Sequence, residues 1–472
     1  MFVGRAKELQ LLNVELSKKS SAILIYGKRK IGKTTLINES AKKQTSKPFI
    51  YYECIKDTEE RNVQEILKLL KKLGLFSDYV ALQNMTFIDL FSYIDSLGKE
   101  VIFAINEYPY LKEYMPSNLV DSIFQNIIDN HLNNINLILC GSHIGMMKDL
   151  LTEKNALFGR FDKIIELKEL SYLEASEFYP SKSNYEKVGL YSVFGGSPFI
   201  NKQINPSLSL KENVINLLFD KNSSVYNYAS SLLISDFANQ ANANRIFVAL
   251  GNGRKSYSEL EEILDRNKSG LLSKQIKPLL EMELIKKDGP INKINDSKKA
   301  KYEINDNLLR FYYTYILPNQ YLLAYKDSEL IYSEEIEPTI VEFISFRFEE
   351  ICRDFLWNYI NKNKISNVVN IGTYYYDDPI RKRNGEFDLA ILNKNGSIQI
   401  IEVKYLNNPV NQTIVNKEIY QIKEINELNV EKIGFISING FENDITGLDY
   451  KFDGNDLFNW ITKKLSSTLH FF

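Results

Sequence analysis

Short unbroken apolar runs alternate, through the first third of the chain, with stretches whose apolar positions recur every three to four residues. Ala22–Tyr26, Pro48–Cys54, Glu100–Asn106, Ile135–Cys140 and Lys163–Leu167 read as five strands with helices between them. Runs apolar on both faces suit strands covered by helices on each side, so the pattern predicts an α/β domain with a parallel sheet. From about Ser171 the strand signals stop, and helical patterns run to about Gln240. Asn244–Ile316 has another rhythm: helix, short helix, helix, then candidate strands at Leu284–Lys287 and Lys301–Ile304. Pro318 and Asn319 mark a break, Tyr332–Tyr359 predicts a helix, and strand-like runs followed by helices return from Val368.

The sharpest motif lies where the first strand ends. Gly27-Lys-Arg-Lys-Ile-Gly32-Lys33-Thr34-Thr35 fits the phosphate-loop pattern G-x-x-x-x-G-K-[ST] without mismatch, and the residues after it read as a helix. The glycines let the backbone wrap an anion with its N–H groups pointing inward, and the helix start adds its positive end. Lys33 is placed to reach the β- and γ-phosphates and the Thr34 hydroxyl to ligate Mg²⁺, so ATP and Mg²⁺ are the expected cofactors. The apolar run Val101–Ile105 ends in Asn106-Glu107, where a nucleotide-hydrolysing site presents its acidic pair. Glu107 is placed to orient or deprotonate an attacking water. Asn106 brings no charge to the metal, so slow turnover is expected. The next strand ends in Gly141-Ser142-His143, and Ser142 is a candidate sensor of the γ-phosphate or water.

A second constellation lies near the C-terminus. Gly385–Leu392 and Gly396–Lys404 predict two strands joined by an Asn-Gly turn. Asp388 is expected near the start of the first; Glu402 and Lys404, two apart, share one face of the second. Two carboxylates and a lysine at one place suit phosphodiester hydrolysis. Asp388 and Glu402 would hold Mg²⁺, and Lys404 would position water or steady developing charge. Arg381-Lys382-Arg383, before the hairpin, offers contacts to a phosphate backbone. In the middle segment, Tyr257–Leu264 predicts a helix capped by Ser258, and Ser273–Leu284 another in which Pro278 removes a backbone donor. Lys274, Lys277, Lys286 and Lys287 are candidate phosphate contacts there, or else a solvated face.

In this order the motifs resemble the archaeal-type ATPases of the STAND/AAA+ class over nearly the whole chain. The start, Phe2-Val-Gly4-Arg5-Ala-Lys-Glu8-Leu9, is similar to that family's opening motif, which implies that Gly4 and Arg5 flank the nucleotide base. Leu157-Phe158-Gly159-Arg160 resembles its Gly-Arg element, implying phosphate contact by Arg160. Gly195-Gly196-Ser197-Pro198 resembles the Gly-Gly-x-Pro element of its helical lid, implying Pro198 at the nucleotide site. The family usually has Asp where Asn106 stands. The middle segment resembles the winged helix that follows the ATPase, and Asp306–Phe311 matches the segment after the wing. The C-terminal set, Asp388…Glu402-x-Lys404 with Glu349 upstream, resembles the PD-(D/E)XK nucleases. The implied architecture is α/β throughout. Residues 1–170 are a P-loop parallel-sheet ATPase core, 171–240 a helical lid, 241–320 a winged helix, and 332–472 an α/β restriction-endonuclease-like domain.

Composition narrows the function. Apolar content of 44% and charge of 25% are ordinary for a globular protein, and 472 residues are too many for one core. A net charge of −2 excludes a general polycation, so contact with nucleic acid, expected to be DNA, has to come from local basic patches. Three scattered cysteines and three scattered histidines form no metal-spacing pattern. No secretion signal or membrane-length apolar run stands out, so a cytoplasmic protein is expected, with self-association left open. Two readings follow. One is an ATP-controlled nuclease. The other is a nucleotide-dependent switch or scaffold whose C-terminal domain binds nucleic acid or a partner without cutting.

Overall fold

The computed structural model describes residues 2–76, 85–237, 243–264, 270–294, 296, 298–378, 383–425 and 428–459. The chain divides into two compact units, residues 1–174 with 197–199, and residues 175–196 with 200–472.

The first unit is built on five strands: β1 (Ser21–Tyr26), β2 (Phe49–Glu53), β3 (Val101–Asn106), β4 (Ile135–Gly141) and β5 (Lys163–Glu166). Their order is β2-β3-β4-β1-β5 and every pair is parallel. β1, β3 and β4 are buried along their whole length, which is why they read as unbroken apolar runs. Alternate residues feed two cores. Ile23, Ile25, Ile102, Ala104 and Ile138 pack with Leu36 and Ile37 of α1 (Lys33–Ala41) and with Leu12 and Leu16 of the helix Ala6–Leu16. Leu24, Phe103, Ile105, Leu137 and Leu139 face the other way, against Ile66, Phe91 and Phe124 from three further helices. The strands therefore end together at one edge, with Tyr26 level with Gly141 and Glu53 level with Asn106. Open α/β sheets bind ligands at this edge.

The second unit gathers the rest. The helices Ala243–Gly251, Tyr257–Ile263 and Leu271–Glu281 accompany a small antiparallel sheet of β6 (Lys255–Ser256), β7 (Ile285–Asp288) and β8 (Lys301–Ile304), ordered β6-β8-β7. The cap of the second helix is Ser256, not Ser258. Ser256 Oγ accepts from the Glu259 N–H (3.3 Å) and the Glu259 carboxylate accepts from the Ser256 N–H (2.6 Å), a reciprocal pair that Ser258, inside the first turn, cannot make. The long helix expected over Tyr332–Tyr359 is broken. A π-helical turn covers Tyr332–Ile336, and α2 runs from Ile340 to Lys362 after Pro338, which has no N–H to give. A mixed sheet follows, ordered β13-β12-β11-β10-β9. Its strands are β9 (Val368–Asp378), β10 (Arg383–Asn393), β11 (Ile398–Lys404), β12 (Val430–Ser437) and β13 (Tyr450–Asp453). β9, β10 and β11 are antiparallel neighbours, while β11–β12 and β12–β13 are parallel, the first of these pairs joined across α3 (Gln412–Lys423). No described helix is long and apolar enough to cross a membrane.

Candidate nucleotide and carboxylate sites

The loop from Gly27 to Lys33 turns off the end of β1 and starts α1. Gly27 has φ +156°, and a Cβ there would lie 2.2 Å from the Leu167 carbonyl oxygen; Gly32 has φ +97°. Both positions exclude side chains for backbone reasons. Lys33 is buried, and its Nζ donates to the Gly27 and Lys28 carbonyls at 2.8 and 2.9 Å, closing the loop on itself; burial pushes its pKa down. Thr34 and Thr35 are exposed at the start of α1. The Thr34 hydroxyl lies 3.1 Å from that of Tyr51 on β2, whose phenol burial pushes up to about 12.

At the ends of β3 and β4 the polar groups meet. Asn106 is buried, and its Oδ1 has no hydrogen-bond partner among the described residues. Glu107 follows with φ +53°, and its Oε2 accepts from the Ser142 N–H (3.2 Å) and hydroxyl (2.9 Å). An orphaned amide oxygen beside the Thr34 hydroxyl's edge of the sheet suits a hydrated Mg²⁺, an ion that keeps most of its waters. Arg5 joins the loop from the N-terminal side: its guanidinium donates to the Ile31 carbonyl at 3.2 Å and to the Lys168 carbonyl. Gly4, at φ +66°, passes so close to Glu174 that a Cβ would sit 2.8 Å from Oε1. Pro198 lies 3.6 Å from where a Gly32 Cβ would be, and the Ser197 hydroxyl donates to the Lys30 carbonyl at 3.3 Å.

Arg160 is not at this edge. The Asp162 N–H donates to the Ala22 carbonyl, and Lys163 pairs with Ile23, so the segment joins β5 where the strands begin. That is a strand's length, roughly 17 Å, from the phosphate loop. The Arg160 guanidinium pairs with Asp129 at 3.0 and 3.1 Å and donates to the Ala156 carbonyl at 2.9 Å.

In the second unit, Asp388 stands in the middle of β10, not near its start. Phe387 pairs with Tyr374 and Ala390 with Gly372, so β10 carries one extra residue at Asp388-Leu389, a bulge of the kind that re-aims a side chain. The β10–β11 pairing stops at Ala390↔Ile400, and just beyond it the Asp388 charge acts on Glu402. Lys404 Nζ donates to Glu402 Oε2 and to Glu418 Oε1, each at 3.0 Å. Glu418, on α3, carries no sequence signal that marks it; only the fold brings it here. Burial opposes the charge on Lys404, but Glu402 and Glu418 outweigh it and hold its pKa up. Burial raises Glu402 and, on its packed side, Asp388, with Lys404 pulling both back down. Glu349 reaches the group from α2: burial first, then Asp388, push its carboxyl up to about 8.

Among the described residues no three acidic, histidine or cysteine side chains converge into a metal cage. Asp388 and Glu402 are nevertheless hard oxygen donors of the number Mg²⁺ takes from a protein before completing its shell with water and substrate oxygens. Lys286 is committed within the fold to Glu303 (3.1 Å) and Glu350 and offers no phosphate contact. Burial works against ionising Glu350, but Arg347 and Lys286 override it and hold that carboxyl below the usual range. Arg381, Lys382 and the Arg383 side chain lie outside the described residues.

Comparison with known proteins agrees with the first unit's design. Residues 2–200 match a family described as an ATPase domain predominantly from Archaea, and residues 312–421 a family described as archaeal and bacterial proteins of unknown function. Among solved structures, the Walker-type ATPase PABY2304 of Pyrococcus abyssi aligns with a TM-score of 0.52 at 17% identity, covering 66% of this chain and 96% of that one, which shows a shared fold. The uncharacterized protein MJECL04 of Methanocaldococcus jannaschii is 30% identical over 413 residues, 86% of this chain and 88% of that protein. With its phosphate loop on a β2-β3-β4-β1-β5 parallel sheet, this chain carries a P-loop ATPase domain and belongs to the same family as MJECL04.

Proposed function

We propose that the chain is an ATP-controlled, metal-dependent nuclease. ATP–Mg²⁺ binds at Gly27–Thr35 with Gly4, Arg5 and Pro198 around it, turnover is slow, and the nucleotide state governs access of nucleic acid, DNA foremost, to the C-terminal site. One observation carries the reading: Lys404 holds Glu402 by a hydrogen bond and acts on Asp388 of the bulged strand, whose charge in turn reaches Glu349 on a helix. Mg²⁺ held by Asp388 and Glu402 would supply charge stabilisation at the scissile phosphate. The chain's own work is positional. Glu402 and Glu418 fix the Lys404 ammonium, which donates to the attacking water or to the phosphate oxygen that gains charge. Residues 241–320 are read as the winged helix, and Arg381, Lys382 and Arg383 as backbone contacts.

In the ATPase, Glu107 orients the attacking water once Ser142 releases it. Arg160 keeps its proposed phosphate contact only if the chain forms a homo-oligomer, since its own loop is a strand's length away.

A second reading, a nucleotide-dependent switch or scaffold that binds without cutting, is favoured by one feature: Lys404 is already engaged by two carboxylates. Incubation with DNA and RNA panels, with Mg²⁺ or Mn²⁺ and with or without ATP, separates the two. Cleavage lost in both Asp388→Ala and Glu402→Ala supports the nuclease; binding with no cleavage under any nucleotide condition replaces it with the switch.

A further inference from the structure

We propose that Glu53 supplies the nucleotide-bound Mg²⁺ with the negative charge that Asn106 lacks. The inference rests on the phosphate-loop reading and deepens it. β2 and β3 run parallel with Phe49 level with Ile102, Tyr51 with Ala104, and Glu53 with Asn106. Level residues on neighbouring parallel strands point to the same face. The packing bears this out: Phe49, Tyr51, Ile102 and Ala104 all belong to the core that contains Leu36 and Ile37 of α1. Asn106 and Glu53 continue that column to the sheet edge where α1 begins.

The column reaches the metal's expected protein ligand. The Tyr51 hydroxyl, one pleat below Glu53, already lies 3.1 Å from the Thr34 hydroxyl. Asn106, beside Glu53, has a buried carbonyl oxygen with no partner among the described residues, so this edge is polar and unfinished. Glu53 is exposed, and no hydrogen bond or ion pair engages it among the described residues. The other charged groups nearby are committed: Glu107 to Ser142, Lys33 to the Gly27 and Lys28 carbonyls, and Lys56 to Glu113 at 2.9 Å. Adjacent strands lie about 4.8 Å apart, so a carboxylate on β2 stands one strand further from the ion than one on β3. A glutamate acting through one of the waters that Mg²⁺ retains spans that step. The charge that an aspartate on β3 would bring then stands one strand to the side, where it holds the ion in place from further off.

The test is calorimetric titration of ATP, with Mg²⁺ and with EDTA, into the wild type, Glu53→Gln, Glu53→Gln/Asn106→Asp and Lys33→Ala, each checked for an unchanged melting temperature. Mg²⁺ should tighten ATP binding to the wild type. Glu53→Gln should lose roughly tenfold of that tightening, the scale of one unscreened charge on a divalent ion, with its EDTA affinity unaltered. Adding Asn106→Asp should restore it by returning the charge to β3. If Lys33→Ala weakens ATP binding but Glu53→Gln keeps the full Mg²⁺ effect, Glu53 has no such role and the phosphate loop stands. A double variant that folds but is not restored overturns the role of Glu53 in the same way. If Lys33→Ala leaves ATP affinity untouched, the phosphate-loop reading falls and this inference falls with it.

Discussion

Replacing Glu349 by glutamine should stabilise the second unit by an amount that grows with pH. In the folded chain this carboxyl is pushed from its ordinary 4.5 to about 8 by burial and by Asp388, so between those values the folded state holds a proton that the unfolded state has released. Stability therefore falls as pH rises through that window and is flat above it. Three and a half pH units at 1.36 kcal/mol each set a ceiling of about 5 kcal/mol, and solvent reaching a half-buried side chain cuts this to about 2–3 kcal/mol. Glutamine keeps the shape and cannot ionise, so it escapes the cost. Residues 1–199 contain no tryptophan, and Trp357 is on α2 itself, so urea unfolding followed by tryptophan fluorescence reads the second unit selectively. The gap between Glu349→Gln and wild type should open from near zero at pH 5 to its full size by pH 9. Mn²⁺ should narrow it, because a cation at Asp388 and Glu402 favours ionised Glu349. A gap that stays constant within about 0.5 kcal/mol from pH 5 to 9 would refute the burial of Glu349 beside Asp388.

Other outcomes follow from the same geometry. Gly27→Ala should abolish ATP binding or folding of the first unit, since its Cβ would meet the Leu167 carbonyl at 2.2 Å; retained affinity by calorimetry contradicts the loop conformation. Glu107→Gln should stop phosphate release while leaving ATP affinity within about twofold, a change of under 0.5 kcal/mol. Ser142→Ala, which removes the hydroxyl and leaves only the backbone N–H on Glu107, should alter turnover and not affinity; a shift in affinity alone would mean that Ser142 touches the nucleotide and does not restrain Glu107. Lys404→Ala should spare metal binding and slow cleavage, read from metal titration beside single-turnover rates.

Local chemistry was legible in the sequence. The five strands of the first sheet announce themselves because both faces are buried, and the phosphate loop because its glycines and lysine are consecutive. What depended on distant packing was not legible. Glu418 joins Lys404 only because α3 folds back beside β11. Tyr51 reaches Thr34 only because α1 packs on the face of the sheet that carries Tyr51. The bulge that aims Asp388 is an extra residue relative to β9, invisible in β10 alone. β6, two residues long, is too short for any periodicity to mark it. The Gly-Arg element shows the limit of motif order: its residues are where the family resemblance puts them in sequence, yet strand direction carries Arg160 to the far end of the sheet.

Whether the carboxylates around Lys404 cut nucleic acid under nucleotide control is decided by a single-turnover cleavage rate. End-labelled single- and double-stranded DNA and RNA are the substrates, in Mn²⁺, with ATP and with ADP, for wild type and Asp388→Ala side by side. An ATP-controlled nuclease cleaves at rates that differ between ATP and ADP, and its cleavage disappears in Asp388→Ala while ATP binding persists. Cleavage that survives Asp388→Ala, or its absence from the wild type with every substrate and nucleotide, contradicts that function.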